Sequence, residues 1–139
     1  MIVPAGLEHA RAELATRVES PTTTYVGQRA EHAAARFLER RGLTTIARNY
    51  RTRFGEIDLV MRDGDTTVFV EVRYRRDPTW LSAAETITAQ KRRRIGLAAR
   101  AFLRAHPGCL AGPCRFDVVA MDRPHFRVRY EWIRSAFVV

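Results

Sequence analysis

The chain runs Glu56-Ile57-Asp58-Leu59-Val60 and then, after a turn-like segment, Val68-Phe69-Val70-Glu71-Val72-Arg73. Both runs are rich in β-branched and aliphatic residues, which are typical of buried strands. Asp63-Gly64 between them favours a hairpin turn. A charged side chain inside a buried strand costs several kcal/mol unless another group pairs with it. The two runs therefore predict a β-hairpin whose acids have a specific partner.

The acids of this hairpin are expected to lie on one face. Side chains alternate between the two faces of a strand, so Asp58 and Glu71 share a face in either of two registers. A loop of residues 63–64 puts Asp58 opposite Phe69, whereas a loop of residues 63–66 puts it opposite Glu71. Like charges on paired strands repel each other, which favours a divalent cation between them. The alternative is a solvated sheet edge whose acids pair with nearby arginines.

The rest of the hydrophobic pattern predicts a single α/β domain. Helical periodicity covers residues 27–41, closed by Gly42, and residues 86–105, closed by His106-Pro107-Gly108. Strand-like runs cover residues 44–50, 55–62, 66–74, 115–121 and 126–132. This order favours a mixed β-sheet flanked by helices over residues 25–139. Residues 1–24 are predicted to form an N-terminal extension, either a short helix or a flexible arm.

Composition and charge limit the classes of function. The net charge of +9 implies an anionic partner, nucleic acid before any other; the alternative is an arginine-rich composition with no such meaning. No apolar run approaches the ~20 residues that span a bilayer, and no secretory signal precedes the domain. We therefore expect a cytoplasmic protein with no membrane partner. Cys109 and Cys114 lack the further ligands of a zinc site and are interpreted as structural or incidental.

Three further residues are candidates for chemistry. Glu31 borders the apolar stripe of the first helix and could complete an oxygen-rich Mg²⁺ or Mn²⁺ site with Asp58 and Glu71. Arg73 follows on the Glu71 face and could hold a phosphate, although arginine does not readily release a proton. Lys91 is the only lysine and could approach a water or a phosphate closely. A boundary glutamate, a salt bridge and a solvated lysine are the respective alternatives.

Other charged and aromatic residues extend the candidate surface. Basic residues that could contact a nucleic-acid backbone are Arg51, Arg53, Arg75, Arg92, Arg93 and Arg94. Trp80 could stack on a base or pack in the core. Asp117 is favoured as a structural ion pair with Arg115 rather than as support for the site.

Several blocks of the sequence together resemble a known family. They are Gly27-x-x-x-Glu31, Asn49-Tyr50-Arg51, Gly55-Glu56-Ile57-Asp58-Leu59-Val60, Val68-Phe69-Val70-Glu71-Val72-Arg73-Tyr74-Arg75, Lys91, Arg115-Phe116-Asp117-Val118, Trp132-Ile133 and Ala136-Phe137. In this order they resemble the YraN family of small bacterial proteins, also called UPF0102. The resemblance covers about residues 27–137. That family is similar to the PD-(D/E)xK nucleases, and among them to archaeal Holliday-junction resolvases.

This resemblance implies a restriction-endonuclease-like domain with one site per subunit. Glu31, Asp58 and Glu71 would bind Mg²⁺ or Mn²⁺, and Arg73 would stand where the superfamily has lysine. Because arginine is a poor activator of water, the hypothesis is that Lys91 supplies the missing ammonium. The resolvases act as dimers, so the resemblance also admits a homodimer.

The expected function is metal-dependent hydrolysis of phosphodiester bonds in branched or damaged DNA. The alternative is a non-catalytic nucleic-acid-binding module on the same fold, favoured by arginine at position 73. A weaker third option is a factor whose basic face binds an acidic protein.

Overall fold

The computed structural model describes residues 27–75, 83–122 and 127–139. The elements are α1 (27–39), β1 (Thr44–Thr52), β2 (Gly55–Asp63), β3 (Thr66–Arg75), α2 (Ala89–Ala105), α3 (Pro107–Leu110), β4 (Cys114–Asp122) and β5 (Arg129–Phe137). The predicted extension, residues 1–24, lies outside the described residues, as does Trp80. Within the described ranges, no helix has the length and apolar character needed to cross a membrane.

The five strands form one mixed sheet in the order β1-β2-β3-β4-β5. Neighbouring strands are antiparallel except β3 and β4, which are parallel. A parallel pair needs a long crossover connection, and the segment that contains α2 supplies it. The α/β domain with a mixed sheet flanked by helices is therefore confirmed, and the arrangement is consistent with a restriction-endonuclease-like fold.

The sheet has a core on each face. On one face Phe69 and Val60 pack with Ile95 and Phe102 of α2. On the other face the partners come from α1: Ala30, Ala34, Ala35 and Leu38 pack with Leu59, Met61, Val68 and Val70. Burying one such large side chain is worth about 1.5–3 kcal/mol. The alternation along β3 thus directs Phe69, and with it Glu71, towards α2.

The helix ends show which local signals act. Gly42 has φ +96 and closes α1, with its N–H on the Glu39 carbonyl and the Leu43 N–H on the Leu38 carbonyl. The predicted start of α2 at residue 86 is wrong, because the Thr88 side chain accepts the Lys91 N–H and caps a helix that begins at Ala89. Thr88 therefore sets where Lys91 projects.

The last strand also differs from the prediction. It continues to Phe137 rather than ending at Trp132, and Phe137 pairs with Phe116 after a register shift. Ser135 adopts φ +48, and its N–H donates to the Asp117 carboxylate. The hydrogen bond to Asp117 holds Ser135 in this left-handed conformation, so β5 continues beyond it to Phe137.

Candidate functional site

The β2–β3 hairpin has the register that brings the two acids together. Pairing runs from Asp63–Thr66 to Leu59–Val70, so the next position sets Asp58 against Glu71. The sequence predicted this register with a loop of residues 63–66. The loop is shorter and consists of residues 64–65, because Gly64 has φ +61 and lets the chain reverse tightly.

Regular pairing stops where the acids begin. Beyond Leu59–Val70, the Asp58 Oδ2 atom accepts the backbone N–H of Val72 at 2.8 Å. A side-chain oxygen thus replaces the strand carbonyl as the acceptor. The exchange leaves the ends of the two strands available to line a cavity.

Glu71 is the most deeply buried acid of the site. Its side chain is 5% exposed, and the Lys91 Nζ atom lies 2.6 Å from its Oε1 atom. The Arg73 Nε atom lies 3.6 Å from the same oxygen, too far for a hydrogen bond. Among the described residues Arg73 Nε has no hydrogen-bond partner. Glu71 is therefore bonded directly to the lysine, while part of the arginine fork remains uncommitted.

Glu31 reaches the same place from α1. Burial raises the pKa of the Glu31 carboxyl, side-chain hydrogen bonds with Asn49 and Asp58 lower it, and the charges of Glu56 and Glu71 raise it. Its Oε2 atom is buried without a hydrogen-bond partner in the described part of the chain. A buried carboxylate oxygen in this state is costly, which makes it available to a further ligand.

Asp58 carries the largest electrostatic perturbation. Burial raises the pKa of its carboxyl to about 8, the nearby Glu71 charge adds to the rise, and the Val72 N–H opposes it. With no added cation, the surroundings of Asp58 therefore favour the protonated form of its carboxyl. A buried carboxyl whose pKa is raised by a neighbouring acid is typical of functional sites.

One cavity gathers all of the predicted chemical residues. Its volume is about 260 Å³. Its lining consists of Gly27, Ala30, Glu31, Asp58, Glu71, Val72, Arg73, Tyr74 and Lys91. A second cavity of about 390 Å³ shares Asp58, Glu71 and Lys91 and extends to Glu56, Gln90 and Arg94. The two form a continuous acidic and basic surface at the open end of the hairpin.

Glu31, Asp58 and Glu71 all line the cavity, but their carboxylates do not converge on a single position. Across residues 27–75, 83–122 and 127–139, no three acidic, histidine or cysteine side chains are arranged to hold an ion. The Lys91 ammonium bonds the Oε1 atom of Glu71, an oxygen that a metal could otherwise use. The donor set is all oxygen, as Mg²⁺ and Mn²⁺ prefer, and the Glu31 Oε2 atom has no hydrogen-bond partner among the described residues.

The predicted phosphate-contacting arginines fall into two groups. Arg93 and Arg94 are exposed on α2, and Arg94 lines the larger cavity. Arg92 instead turns inward and donates to the carbonyls of Ile87 and Ala84 at 3.2 Å each. Arg92 therefore fixes the segment before α2.

The arginines on the strands are also placed differently from one another. Arg51 pairs with Glu56 at 3.4 Å and remains 80% exposed. Arg75 pairs with Glu131 at 3.2 Å and is only 16% exposed. Arg53 lies over the ring of Phe54 at the β1–β2 turn. Only Arg51 and Arg53 of these three extend the exposed basic surface near the cavity.

Asn49 belongs to the site, although the sequence named it only within a block of the family resemblance and predicted no role for it. It has φ +49, and its side chain bonds Glu31. The pairing of β1 with β2 passes from Arg48–Leu59 to Tyr50–Ile57, which leaves Asn49 between paired positions. Asparagine tolerates the left-handed region better than most residues. An asparagine inside a strand-like run was the available signal.

Comparison with known proteins matches residues 30–121 to the model of "Uncharacterised protein family UPF0102". A UPF0102 protein of Stutzerimonas stutzeri (strain A1501) is 48% identical over 111 residues, which cover 80% of this chain and 92% of the relative. Another, of Dechloromonas aromatica (strain RCB), is 51% identical over 116 residues, which cover 84% of this chain and 91% of the relative. The matched range contains every residue from Glu31 to Lys91 that lines the smaller cavity. The chain belongs to the UPF0102 family.

Proposed function

We propose that this protein is a Mg²⁺- or Mn²⁺-dependent endonuclease that hydrolyses phosphodiester bonds in branched or damaged DNA. One observation carries the proposal: three carboxylates, an arginine and the only lysine line one cavity where the hairpin pairing ends. The net charge of +9 supports a polyanionic substrate.

The carboxylates Glu31, Asp58 and Glu71 would hold the ion. When bound, such an ion lowers the pKa of its water and neutralises charge on the phosphate. Asp58 needs a cation most, because burial beside Glu71 raises its pKa to about 8. The Oε2 atom of Glu31, which has no hydrogen-bond partner in the part of the chain that the structure describes, offers a further ligand oxygen.

Arg73 and Lys91 would together replace the one lysine that PD-(D/E)xK nucleases have at the position of Arg73. The Arg73 guanidinium stays protonated and suits a fixed contact with a phosphate oxygen. Lys91 extends its ammonium into the cavity from the first turn of α2, 2.6 Å from Glu71. Of the two cations it is the one that can exchange a proton with water or with the leaving oxygen.

Backbone contacts would come from exposed arginines beside the cavity. Arg94 lines the larger cavity and Arg93 neighbours it on α2. Arg51 and Arg53 would extend this track along β1. Arg92 and Arg75 contribute less, because their guanidinium groups already bond other parts of the protein.

A second candidate function is a nucleic-acid-binding module without turnover. The observation in its favour is the Lys91–Glu71 ion pair, together with arginine at position 73. These two cations already offset the charge of Glu71, which reduces its need for a metal. Metal dependence separates the two candidates.

The test uses a panel of labelled DNAs: single-stranded, duplex, flap and four-way junction. Each is incubated in Mn²⁺ with the wild type, with Glu71→Ala and with Glu39→Ala, which changes an exposed acid of α1. We expect cleavage of at least one branched DNA, lowered about 100- to 1,000-fold by Glu71→Ala and unchanged by Glu39→Ala.

Two other results would change the conclusion. Tight binding to DNA without cleavage, equal in all three proteins, would favour the binding module. Failure of the folded wild type to bind any DNA of the panel would exclude both candidates.

A further inference from the structure

The tip of the β1–β2 hairpin carries an exposed aromatic side chain next to the candidate site. Phe54 is 37% exposed, and the next two residues, Gly55 and Glu56, line the larger cavity. The Arg53 guanidinium lies over the Phe54 ring, 4.7 Å from its centroid. The tip therefore presents an aromatic ring together with a cation.

This tip is held in a fixed shape. The Thr52 hydroxyl donates to the Gly55 carbonyl at 2.9 Å and accepts the Phe54 N–H at 3.1 Å. Gly55 has φ +152, and a Cβ atom there would lie 3.4 Å from the Cβ atom of Arg94. The turn thus lies against α2 at Arg94, which places Phe54 next to the cavity that Asp58 and Glu71 line.

A second exposed aromatic residue borders the smaller cavity. Tyr74 is 43% exposed and lines that cavity together with Glu31 and Asp58. Six large apolar side chains are exposed in the described ranges, and the others are Leu110, Val128, Val138 and Val139. The two aromatic ones are thus those associated with the site, as a surface for base stacking requires.

We propose that Phe54, backed by Arg53, stacks on an unpaired base beside the phosphate held in the cavity. This inference rests on the proposed function and names its substrate class: DNA with unpaired bases at the cleavage point. Every base offers a π-face, so stacking is tolerant of sequence. Bases in continuous duplex are already stacked on each other, and freeing one is costly. Phe54 would therefore favour flaps, gaps and junctions over duplex.

The experiment measures binding to a gapped duplex with 2-aminopurine in its single-stranded gap, beside a fully paired duplex of the same sequence. Ca²⁺ replaces Mn²⁺, so that binding is observed without depending on cleavage. Phe54→Leu keeps an apolar side chain without a π-face, and Phe54→Trp keeps the π-face. Leu110→Ala, beyond the opposite end of α2, controls for loss of an exposed apolar residue.

We expect Phe54→Leu to weaken binding to the gapped DNA by about 10-fold and to abolish quenching of 2-aminopurine, while duplex binding is unchanged. Phe54→Trp should keep both the binding to the gapped DNA and the quenching of 2-aminopurine. Leu110→Ala should match the wild type. Thermal unfolding of each variant checks that it is folded.

Three results would overturn the inference. Unchanged affinity and quenching in Phe54→Leu would reject base stacking and leave the proposed nuclease intact, and so would equal weakening for gapped and paired DNA. Absence of any DNA binding by the wild type would reject the inference together with the proposed function.

Discussion

Asp58 on β2 and Asp117 on β4 flank the same central strand, yet their surroundings are opposite. Asp117 is 0% exposed and accepts hydrogen bonds from three donors: the Arg115 Nε–H, which is shared between both carboxylate oxygens, the Trp132 Nε1–H and the Ser135 N–H. Asp58 accepts the Val72 N–H, and its acidic neighbour Glu71 helps to raise its pKa to about 8.

The difference shows that burial of an acid does not by itself identify a functional site. At Asp117 the surrounding donors balance the negative charge, and the group joins β4 to β5. At Asp58 a second carboxylate stands where another donor would be expected. Ionising a buried carboxyl without enough donors costs stability, and the cation that we propose for this site would offset that cost.

The largest expected effect comes from removing the charge of the balanced acid. Asp117→Asn should lower the free energy of unfolding by about 3–5 kcal/mol, because Arg115 loses a buried partner and an amide replaces one acceptor oxygen. Urea denaturation at pH 7 measures it. Asp65→Asn, at an exposed loop position, should change stability by less than about 0.5 kcal/mol. If Asp117→Asn lowered the free energy of unfolding by less than about 1 kcal/mol, the hydrogen bonds to Asp117 would not be what balances its charge.

A smaller effect is expected from removing Lys91, the cation beside the Asp58–Glu71 pair. Lys91→Met removes the ammonium that bonds Glu71, and DNA cleavage in Mn²⁺ should fall about 100-fold because proton transfer is lost. Arg104→Met, in the last turn of the same helix, serves as the control for a lost positive charge. Unchanged cleavage in Lys91→Met would show that the lysine has no chemical role.

The smallest expected effect concerns pH. The raised pKa of Asp58 means that, between about pH 4 and pH 8, the unfolded chain releases a proton that the folded protein keeps. The free energy of unfolding therefore falls as pH rises through this range. Without divalent cations, Asp58→Asn should lack this contribution, so its stability relative to the wild type should be greater at about pH 8.5 than at about pH 4.

Urea titrations in EDTA at the two pH values measure this difference. Parallel changes in the wild type and Asp58→Asn would mean that Asp58 titrates normally. Its contrast with Asp117 would then have no electrostatic basis.

Much of the fold followed from local patterns. Helix and strand periods predicted α1, the β2–β3 hairpin and the α/β class, and Gly42 predicted the end of α1. The start of α2 was misplaced because two threonines, Thr86 and Thr88, offer similar capping signals, and only the packed helix shows which one is used. The end of β5 was misplaced because Ser135 depends on a contact with Asp117, which is distant in sequence.

Local strand geometry also predicted part of the candidate site. Alternation along β3 put Glu71 and Arg73 on one face, and hairpin geometry added Asp58 in either register. The role of Asn49 could not be predicted, since it depends on a left-handed backbone inside a strand and on the position of α1.

The sequence by itself determined which acids would lie in buried strands and on which face, because strand alternation is a local property. The tertiary structure alone decided which acids would be balanced. Asp117 receives donors from β5, whereas Asp58 meets acids from α1 and β3. The number of donors around a buried charge depends on contacts between segments far apart in the chain, and the energy of that charge follows from them.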